Sequence, residues 1–291
     1  MAPNERDPAG LLGYLLRRAQ LRVLESFLEA SGGVHPRDMA ILQLLASYGQ
    51  VSQQWLADYL LINRSVMVKL IDQLEEAGEV ERRRNQNDRR SYALVVTTAG
   101  RRRLKSLGKA VQACDEELSG RFSAAQYRRL KTYLQRLLLP HLDPPPPPVL
   151  AEHCGFLTAH TYFRVATIGD VTFRPLGLDT RTFVALAALE SRAPCSQQEL
   201  AVWLSIGGAA AVDLVDRLEQ LGCARRGRSE TDRRSYALQV TADGVKLLSE
   251  AKLLVRAAAT EFLSPLQPGE RVELIGLLAL LTGEPELAVT R

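Results

Sequence analysis

One stretch of this 291-residue chain occurs twice, 144 positions apart. The heptapeptide at residues 88–94 (Asp-Arg-Arg-Ser-Tyr-Ala-Leu) returns unchanged at 232–238. Around it, residues 51–105 align with 195–249 without a gap and with 26 of 55 residues identical. A repeat of this length is a whole domain, because the repeats of solenoids span only about 20–50 residues. The chain therefore carries two copies of one domain, which can do the work of a homodimer while each copy diverges.

Five consecutive prolines at positions 144–148 mark the boundary between the copies. Proline cannot continue a helix and favours an extended polyproline conformation, with a rise of about 3.1 Å per residue. We therefore expect a first domain over residues 1–143, a semi-rigid spacer over 144–149 and a second, diverged domain over 150–291. A duplicated chain can close its own pseudo-twofold interface, so a monomeric pseudo-dimer is the expected state.

Apolar periodicity predicts a series of helices at the start of each copy. In the first copy, a long amphipathic helix over residues 9–31 is followed by a helix that Pro36 opens. Ser52 and Asn63 are the residue types that cap helices, and each precedes a shorter apolar-periodic segment. The second copy repeats this order, although Gly169 is expected to weaken its first helix.

After Gly78 the hydrophobic pattern changes to that of two short strands, over residues 80–84 and 92–96. Two further helices follow, from Thr97 to about residue 118 and over residues 124–139. Two helices at a turn followed by a β-hairpin form a winged helix-turn-helix. The expected fold is mainly α with small β-hairpin wings: two winged helix-turn-helix domains on a shared, dimer-like helical body.

Composition and spacing argue against several other classes of protein. The polar start is not a secretory signal, and the apolar run at 274–281 is shorter than the roughly 20 residues of a membrane-spanning helix, so we expect a cytoplasmic protein. The sequence lacks a nucleophile elbow, a Gly-rich phosphate loop and an H-E-x-x-H motif, so no enzyme is expected. Metals, cofactors and disulfides are not expected either, because the cysteines and histidines lack ligand spacing. These residues are Cys114, Cys154, Cys195, Cys223, His35, His141, His153 and His160.

Three motifs in each copy resemble those of the MarR family of transcription regulators. The most specific is an Asp-x-Arg wing motif, which lies at a fixed distance from a leucine-rich helix ending in glycine and from a following Thr-x-x-Gly. The motifs occupy residues 70–78, 87–90 and 94–100 in the first copy, and 214–222, 232–234 and 241–244 in the second. The resemblance implies double-stranded DNA as the partner, bound at a pseudo-palindromic operator by a repressor that a small-molecule effector relieves.

Hydrogen-bond donors open the first recognition helix. Asn63, Arg64 and Ser65 lie in its first turn, and Lys69 shares a face with Ser65. Side chains of these types read base edges and hold phosphates, while wing arginines suit the narrow minor groove. The residues predicted to contact DNA are Gln53, Asn63, Arg64, Ser65, Lys69, Arg83, Arg84, Asp88, Arg89, Arg90, Arg226, Arg228, Asp232, Arg233 and Arg234. Among these, Asp88 is expected to act mainly by holding the hairpin in shape.

The second copy has lost the donors of the recognition helix. Asn-Arg-Ser at 63–65 becomes Gly-Gly-Ala at 207–209, and Asp213 replaces Lys69. Residues 48–105 contain 11 basic and 7 acidic residues, whereas the matching stretch of the second copy contains 8 and 7. The hypothesis is an asymmetric complex, in which the first repeat dominates base readout and the second mainly clamps the DNA.

An effector, by the same resemblance, would bind between the helical body and the winged domains. The candidate side chains are Tyr14 and Arg18 from the first copy and His160 and Tyr162 from the second. Cys154 leaves open a redox alternative, because part of the family senses peroxides through a cysteine near this position.

A second function is also left open: a MarR-like scaffold that has lost specific DNA binding and serves as a ligand- or protein-binding module. The degenerate second recognition helix favours it, whereas Asn63, Arg64 and Lys69 argue against it. Salt-dependent binding to a defined operator separates the two, because neutralised phosphates release counterions.

Overall fold

The computed structural model describes residues 8–84, 92–204, 206–228 and 236–285 of the chain. The chain divides into two compact units. Unit I comprises Leu12–Arg164 and Pro265–Arg291, and unit II comprises Met1–Leu11 and Val165–Ser264. The units are defined by compactness, so the limits 1–143 and 150–291, which follow the sequence repeat, stay a prediction.

Unit I contains a winged domain and several long helices. Most of α1 and the first part of α8 belong to it. Its elements are α1 Pro8–Ser31, α2 Pro36–Tyr48, β1 Val51–Ser52, α3 Gln53–Tyr59, α4 Arg64–Glu76, β2 Val80–Arg84, β3 Tyr92–Val96, α5 Thr98–Ser119, α6 Ala124–Leu138, α7 Pro148–Ala151, α8 Cys154–Phe173 and α13 Pro268–Thr282.

Unit II repeats the winged domain. Its main segment begins within α8, which is followed by a short 3₁₀ turn at Arg174–Leu176. The remaining elements are α9 Thr180–Arg192, α10 Gln197–Leu204, α11 Gly208–Gln220, β4 Ala224–Arg228, β5 Tyr236–Val240 and α12 Ala242–Phe262. The fold is therefore mainly α with small antiparallel sheets, as the sequence predicts.

Side-chain caps set the starts of three helices in unit I. The Ser52 hydroxyl accepts the backbone N–H of Trp55 at 3.0 Å, and the Asn63 amide oxygen accepts that of Ser65 at 2.9 Å. Thr97 accepts the N–H of Gly100 at 3.1 Å. Each bond satisfies a donor that the first turn of a helix leaves without an intrahelical partner. The three predicted caps are confirmed.

The wing sheet of unit I is an antiparallel pair with a third, two-residue strand at its edge. β2 and β3 pair from Val80↔Val96 to Arg84↔Tyr92, and their limits match the predicted strands. β1 pairs with β3 through Val51↔Leu94. β1 is not predicted from the sequence, because two residues have no measurable period. Unit II has the same arrangement, with a bridge between Cys195 and Leu238.

Apolar faces of the helices form the core of each unit. In unit I, α1 buries Leu15 and Leu16 completely, and α6 packs against α13. In unit II, the core includes Leu200, Leu214 and Leu218 from α10 and α11. Among the described residues, no single helix is both long and apolar enough to cross a membrane, although α10 and α11 together, bent by 109°, meet that criterion of length and composition. Several apolar residues of this bent pair lie in the core of unit II.

Gly169 does not interrupt α8, which runs through it from Cys154 to Phe173. A Cβ at this position would lie 2.7 Å from the hydroxyl oxygen of Thr180, so the glycine permits close packing. A mid-helix glycine costs only about 1 kcal/mol relative to alanine. The expected weakening of the helix is therefore wrong, because the helix tolerates this cost and needs the space.

The spacer between the two copies is shorter than the predicted range of residues 144–149. Pro148 lies in the first turn of α7, where its missing N–H would have no intrahelical acceptor in any case. Pro147 has the φ of −59° and ψ of 149° of a polyproline conformation. The spacer between the helices is therefore no longer than residues 144–147, and it contacts the winged domain of unit I through Tyr48 and Tyr59.

Candidate nucleic-acid interface and effector cleft

The recognition helix of unit I has one apolar face and one polar face. Met67, Leu70, Ile71 and Leu74 are buried in the domain. The opposite face of α4 is exposed, and its solvent-facing residues are Arg64, Ser65, Val66, Val68, Lys69, Asp72, Gln73 and Glu76. The structure therefore brings the predicted donors Arg64, Ser65 and Lys69 together on one accessible surface.

Asn63, which is predicted to contact DNA, is the N-cap of α4. Its Oδ1 accepts both the backbone N–H of Ser65, at 2.9 Å, and the Ser65 hydroxyl, at 2.7 Å. An amide oxygen has two lone pairs, so both are occupied. Only the N–H groups of the Asn63 amide are left for a partner, which excludes a bidentate contact to adenine while the cap is intact.

A cluster around Arg82 ties the wing to the recognition helix. Its guanidinium donates to Asp72 at 2.5 Å, to Glu75, and to the side-chain oxygen of Gln53 at 3.4 Å, while its backbone N–H donates to Glu75 at 3.1 Å. Partial burial lowers the pKa of Arg82, but the two carboxylates outweigh it and raise the pKa above its usual value. Gln53, a predicted phosphate ligand, is thus also a neighbour of this cluster.

Unit II contains the same cluster at the equivalent positions. Arg226 donates to Asp216 at 2.7 Å, to Glu219, and to Gln197 at 3.5 Å. Arg226 is among the residues predicted to contact DNA. That contact stays a prediction, and a phosphate would have to compete with two carboxylates for the guanidinium.

The remaining predicted wing residues lie at or beyond the ends of the described strands. Arg83 pairs with Glu81 at 2.9 Å on the surface, and Arg84 is exposed without an ion pair to any described residue. The side chain of Arg228 lies outside the described residues, and so do Asp88, Arg89, Arg90, Asp232, Arg233 and Arg234.

The recognition helix of unit II presents a different surface. Gly208, Ala209, Val212 and Asp213 are exposed on α11, and Gly207 caps the helix without a side-chain hydrogen bond. On the described part of this face, the first cation is Arg217, which donates to a backbone oxygen of the same unit. The residues that replace the hydrogen-bond donors of α4 are therefore exposed on α11, so the surface of the second recognition helix has lost these donors.

A row of cations lies on α5, outside the set of residues predicted to contact DNA. Arg101, Arg102, Lys105 and Lys109 are exposed and form no ion pair with any residue that the structure describes. Three of them recur at every fourth residue, the spacing that places side chains on one helix face. Their counterparts in α12 are Val245, Lys246, Ser249 and Leu253. The charge run at 101–105 was the signal that could have revealed this row.

The four predicted effector residues do not share one site. Tyr14 and Arg18 both donate to the carboxylate of Glu284, at 3.3 and 2.9 Å. Tyr162 accepts a bond from Arg17 at 3.2 Å. Of the four, His160 lines a cleft of about 260 Å³ in unit I.

This cleft lies between α3 and the helices beside it. Its walls are Trp55, Asp58, Tyr59, Leu61, Leu138, His141, Leu142, Asp143, His160 and Arg164. His160 donates from Nε2 to the backbone oxygen of Tyr59 at 2.8 Å. Burial lowers the pKa of His160, so the ring is neutral at pH 7 and its Nδ1 is an acceptor. Nδ1 has no hydrogen-bond partner among the described residues, and it is a buried acceptor behind the wall of the cleft.

Cys154 is poorly suited to redox sensing. The side chain is fully buried, and burial raises the pKa of its thiol to about 11. The thiolate is the species that reacts with peroxides, and reactive cysteines have a lowered pKa and some exposure. The geometry therefore disfavours the redox alternative.

Each unit contains two helices at a tight turn followed by an antiparallel hairpin, so the protein is a winged helix-turn-helix protein with two such domains. The sequence model of the MarR family matches residues 32–91 and 176–235. A putative transcriptional regulatory protein for the hcr operon of Thauera aromatica is 36% identical over 132 residues, which cover 44% of this chain and 80% of that protein. The chain belongs to the MarR family.

Two further proteins are similar to part of the chain. The HTH-type transcriptional repressor Rv2887 of Mycobacterium tuberculosis is 30% identical over 128 residues, which cover 43% of this chain and 92% of the repressor. The crystal structure of CouR from Rhodococcus jostii, bound to p-coumaroyl-CoA, is similar to 42% of this chain over 87% of its own length, at 26% identity and a TM-score of 0.39. Each match covers less than half of the chain, about the length of one repeat.

Proposed function

We propose that this protein is a sequence-specific transcription regulator that binds double-stranded DNA and reads base edges mainly through the winged domain of unit I. The observation that carries the proposal is the contrast between the two recognition helices. α4 exposes Arg64, Ser65 and Lys69, whereas α11 exposes Gly208 and Asp213 at positions equivalent to Arg64 and Lys69. Readout requires donors and acceptors on the helix that enters the major groove.

The second winged domain keeps the scaffold that a clamp needs. The cluster of Arg226, Asp216 and Glu219 ties β4 to α11 as its counterpart does in unit I. Asp213 would repel a phosphate, so close insertion of α11 is unfavourable. We therefore assign this domain a weaker, sequence-tolerant contact with an operator whose two half-sites need not be equally preserved.

Repression relieved by a small molecule is the mode of regulation that we favour. Relatives of this chain are named repressors, and the cleft of unit I adjoins α3, the helix that precedes the recognition helix. The turn between α3 and α4 contains Leu61, a cleft residue held at a φ of +54°. A ligand that displaced α3 would therefore act directly on the start of α4.

The cleft suits a small aromatic ligand with a negative charge. Trp55 and Tyr59 offer aromatic walls, and Arg164 supplies a cation. 4-Hydroxybenzoate carries these groups and serves as a probe. Its binding should quench Trp55 fluorescence in a Trp203→Phe background and should weaken in Arg164→Gln. Equal quenching with and without the Arg164→Gln substitution would show that Arg164 does not contact the ligand.

We further propose that one chain, acting in the cytoplasm, supplies both winged domains of the DNA-bound species, as a single-chain pseudo-dimer. The two repeats together provide what two subunits provide in a homodimer. Light scattering after gel filtration tests this proposal, since a monomer mass of about 32 kDa is expected. A stable dimer would contradict it.

Footprinting on the DNA upstream of the gene, at low and at moderate salt, tests the function itself. The proposal predicts a defined site that covers two successive major-groove faces about one helical turn apart, with stronger protection on one side. Salt-sensitive protection without a defined site would contradict sequence-specific binding. Absence of binding at either salt concentration would favour a ligand- or protein-binding module, for which the exposed apolar residues Val202 and Val212 of unit II are the supporting observation.

A further inference from the structure

Three aromatic side chains form a continuous surface on the winged domain of unit I. Tyr48 ends α2, and Trp55 and Tyr59 lie on α3. The Tyr48 and Trp55 rings meet edge to face with centroids 5.5 Å apart, and Trp55 stacks on Tyr59 at 4.7 Å. We call these three residues the aromatic groove. Its rings contact one another in the edge-to-face and stacked geometries that aromatic pairs favour.

The proline segment of the same chain occupies this groove. The Tyr59 hydroxyl donates to the backbone oxygen of Pro144 at 3.0 Å, and the Tyr48 hydroxyl donates to that of Pro145. Pro146 is buried. Proline has no N–H, so its carbonyl oxygen is the backbone group that can be recognised, and aromatic-lined grooves recognise extended proline segments in this way. The segment is therefore bound, not merely tethered.

The second repeat lacks the groove. The positions equivalent to Tyr48, Trp55 and Tyr59 are occupied by Arg192, Glu199 and Trp203. In unit II the guanidinium of Arg192 lies over the Trp203 ring, 4.9 Å from its centroid. The groove is thus a feature of the copy that is followed by prolines, and the common scaffold does not require it.

Tyr59 links the groove to the effector cleft. Its ring lines the cleft, its hydroxyl holds Pro144, and its backbone oxygen accepts the bond from His160. Asp143, the residue before the prolines, also lines the cleft. A change in the position of Tyr59 therefore affects the proline segment, α8 and α3 at the same time.

We infer that residues 143–147 are a strap: an internal polyproline ligand that binds the aromatic groove and holds α3, and through it the recognition helix α4, against the helices of unit I. The strap orders the DNA-reading domain before it meets DNA, and preorganisation of this kind increases affinity. The binding of the strap is independent of the proposed function, whereas its effect on DNA rests on that function.

The strap is tested first without DNA. In a Trp203→Phe background, Trp55 is the sole tryptophan and reports directly on the groove. Tyr48→Phe with Tyr59→Phe removes both hydroxyls, each worth about a fivefold change in the docked population. We expect red-shifted emission and stronger acrylamide quenching of Trp55, and the same result when residues 144–147 become serine. Unchanged emission and quenching in both folded variants would overturn the strap.

Tyr133→Phe is the matched control, because it removes a tyrosine hydroxyl bond to Glu273 elsewhere in unit I. It should leave Trp55 emission unchanged. On operator DNA, the serine variant should bind roughly three- to tenfold more weakly than the wild-type chain, since ordering then occurs on binding. Altered Trp55 emission with unchanged operator affinity would overturn the positioning role alone. Absence of DNA binding by the wild-type chain would instead contradict the proposed function and leave the Trp55 result standing.

Discussion

The guanidinium of Arg82 donates to the carboxylate of Asp72, so that the first strand of the wing is bound to the recognition helix it accompanies. The second repeat makes the same bond between Arg226 and Asp216. Two domains that differ on their exposed recognition faces thus keep one internal connection. The wing and helix of each domain therefore move together, whether or not that domain reads bases.

Replacement of this arginine should destabilise each domain to a similar extent. We expect Arg82→Ala and Arg226→Ala each to cost about 1–2 kcal/mol, because each removes a partly buried guanidinium and its hydrogen bonds to two carboxylates. Thermal unfolding measures the loss. Arg83→Ala is the control, since its pair with Glu81 is on the surface and should not affect the midpoint. Equal midpoints of thermal unfolding for Arg82→Ala and Arg83→Ala would show that the cluster does not stabilise the domain.

The Thr-x-x-Gly motif has a steric explanation. A Cβ at Gly100 would overlap the backbone oxygen of Glu79, and Gly244 has the same relationship to Cys223. Gly100→Ala should therefore cost about 3 kcal/mol. Gly108, in the same helix, has open space around it, and Gly108→Ala should stabilise the protein by about 1 kcal/mol. Denaturant unfolding distinguishes the two, and similar stabilities would contradict the packing argument.

His35 should make the protein sensitive to mild acid. Burial and then Arg37 lower the pKa of His35 to about 4, and its Nδ1 caps α2 by accepting the N–H of Arg37 at 3.1 Å. The unfolded chain binds the proton near pH 6.5, and the folded chain binds it only near pH 4. Stability from this residue is therefore full above pH 6.5 and falls as the pH decreases towards 4.

Asparagine caps helices without titrating, so His35→Asn is the matched variant. Its stability should vary less between pH 6.5 and 4 than that of the wild-type chain, as measured by urea unfolding at a series of pH values. Parallel curves for the two proteins would show that His35 does not contribute to the acid sensitivity.

The recognition helix of unit II should bind DNA phosphates once its exposed acidic residue is replaced by a basic one. Gly208→Arg with Asp213→Lys restores the cations found at Arg64 and Lys69. We expect tighter DNA binding and a salt dependence steeper by roughly 1–2 units in the log–log slope, as each neutralised phosphate adds about 0.9. Titrations of DNA at several salt concentrations provide the slope. An unchanged slope would mean that α11 does not approach the DNA.

Local signals were enough to predict much of this fold. Ser52, Asn63 and Thr97 were recognised as caps because a cap depends on residues two or three positions away. The strands 80–84 and 92–96 followed from alternation and turn residues. Both winged domains then followed from the repeat, since two weak patterns at matching offsets support each other.

Long-range contacts were beyond these signals. The bond from Arg82 to Gln53 spans 29 positions, and that from His160 to Tyr59 spans 101. The sequence therefore indicated His160 without the cleft, and the prolines without their groove. Gly169 was misjudged for the same reason, because the local cost of glycine was visible and the approach of Thr180 was not.

Arg64 and Gly208 occupy the same position of the two recognition helices, and substituting each with alanine tests the central claim most directly. On one operator at one salt concentration, Arg64→Ala should bind roughly tenfold more weakly or worse, as for a lost base contact of about 1–3 kcal/mol. Gly208→Ala should bind like the wild-type chain. Equal losses of affinity in the two variants would contradict readout by the first repeat.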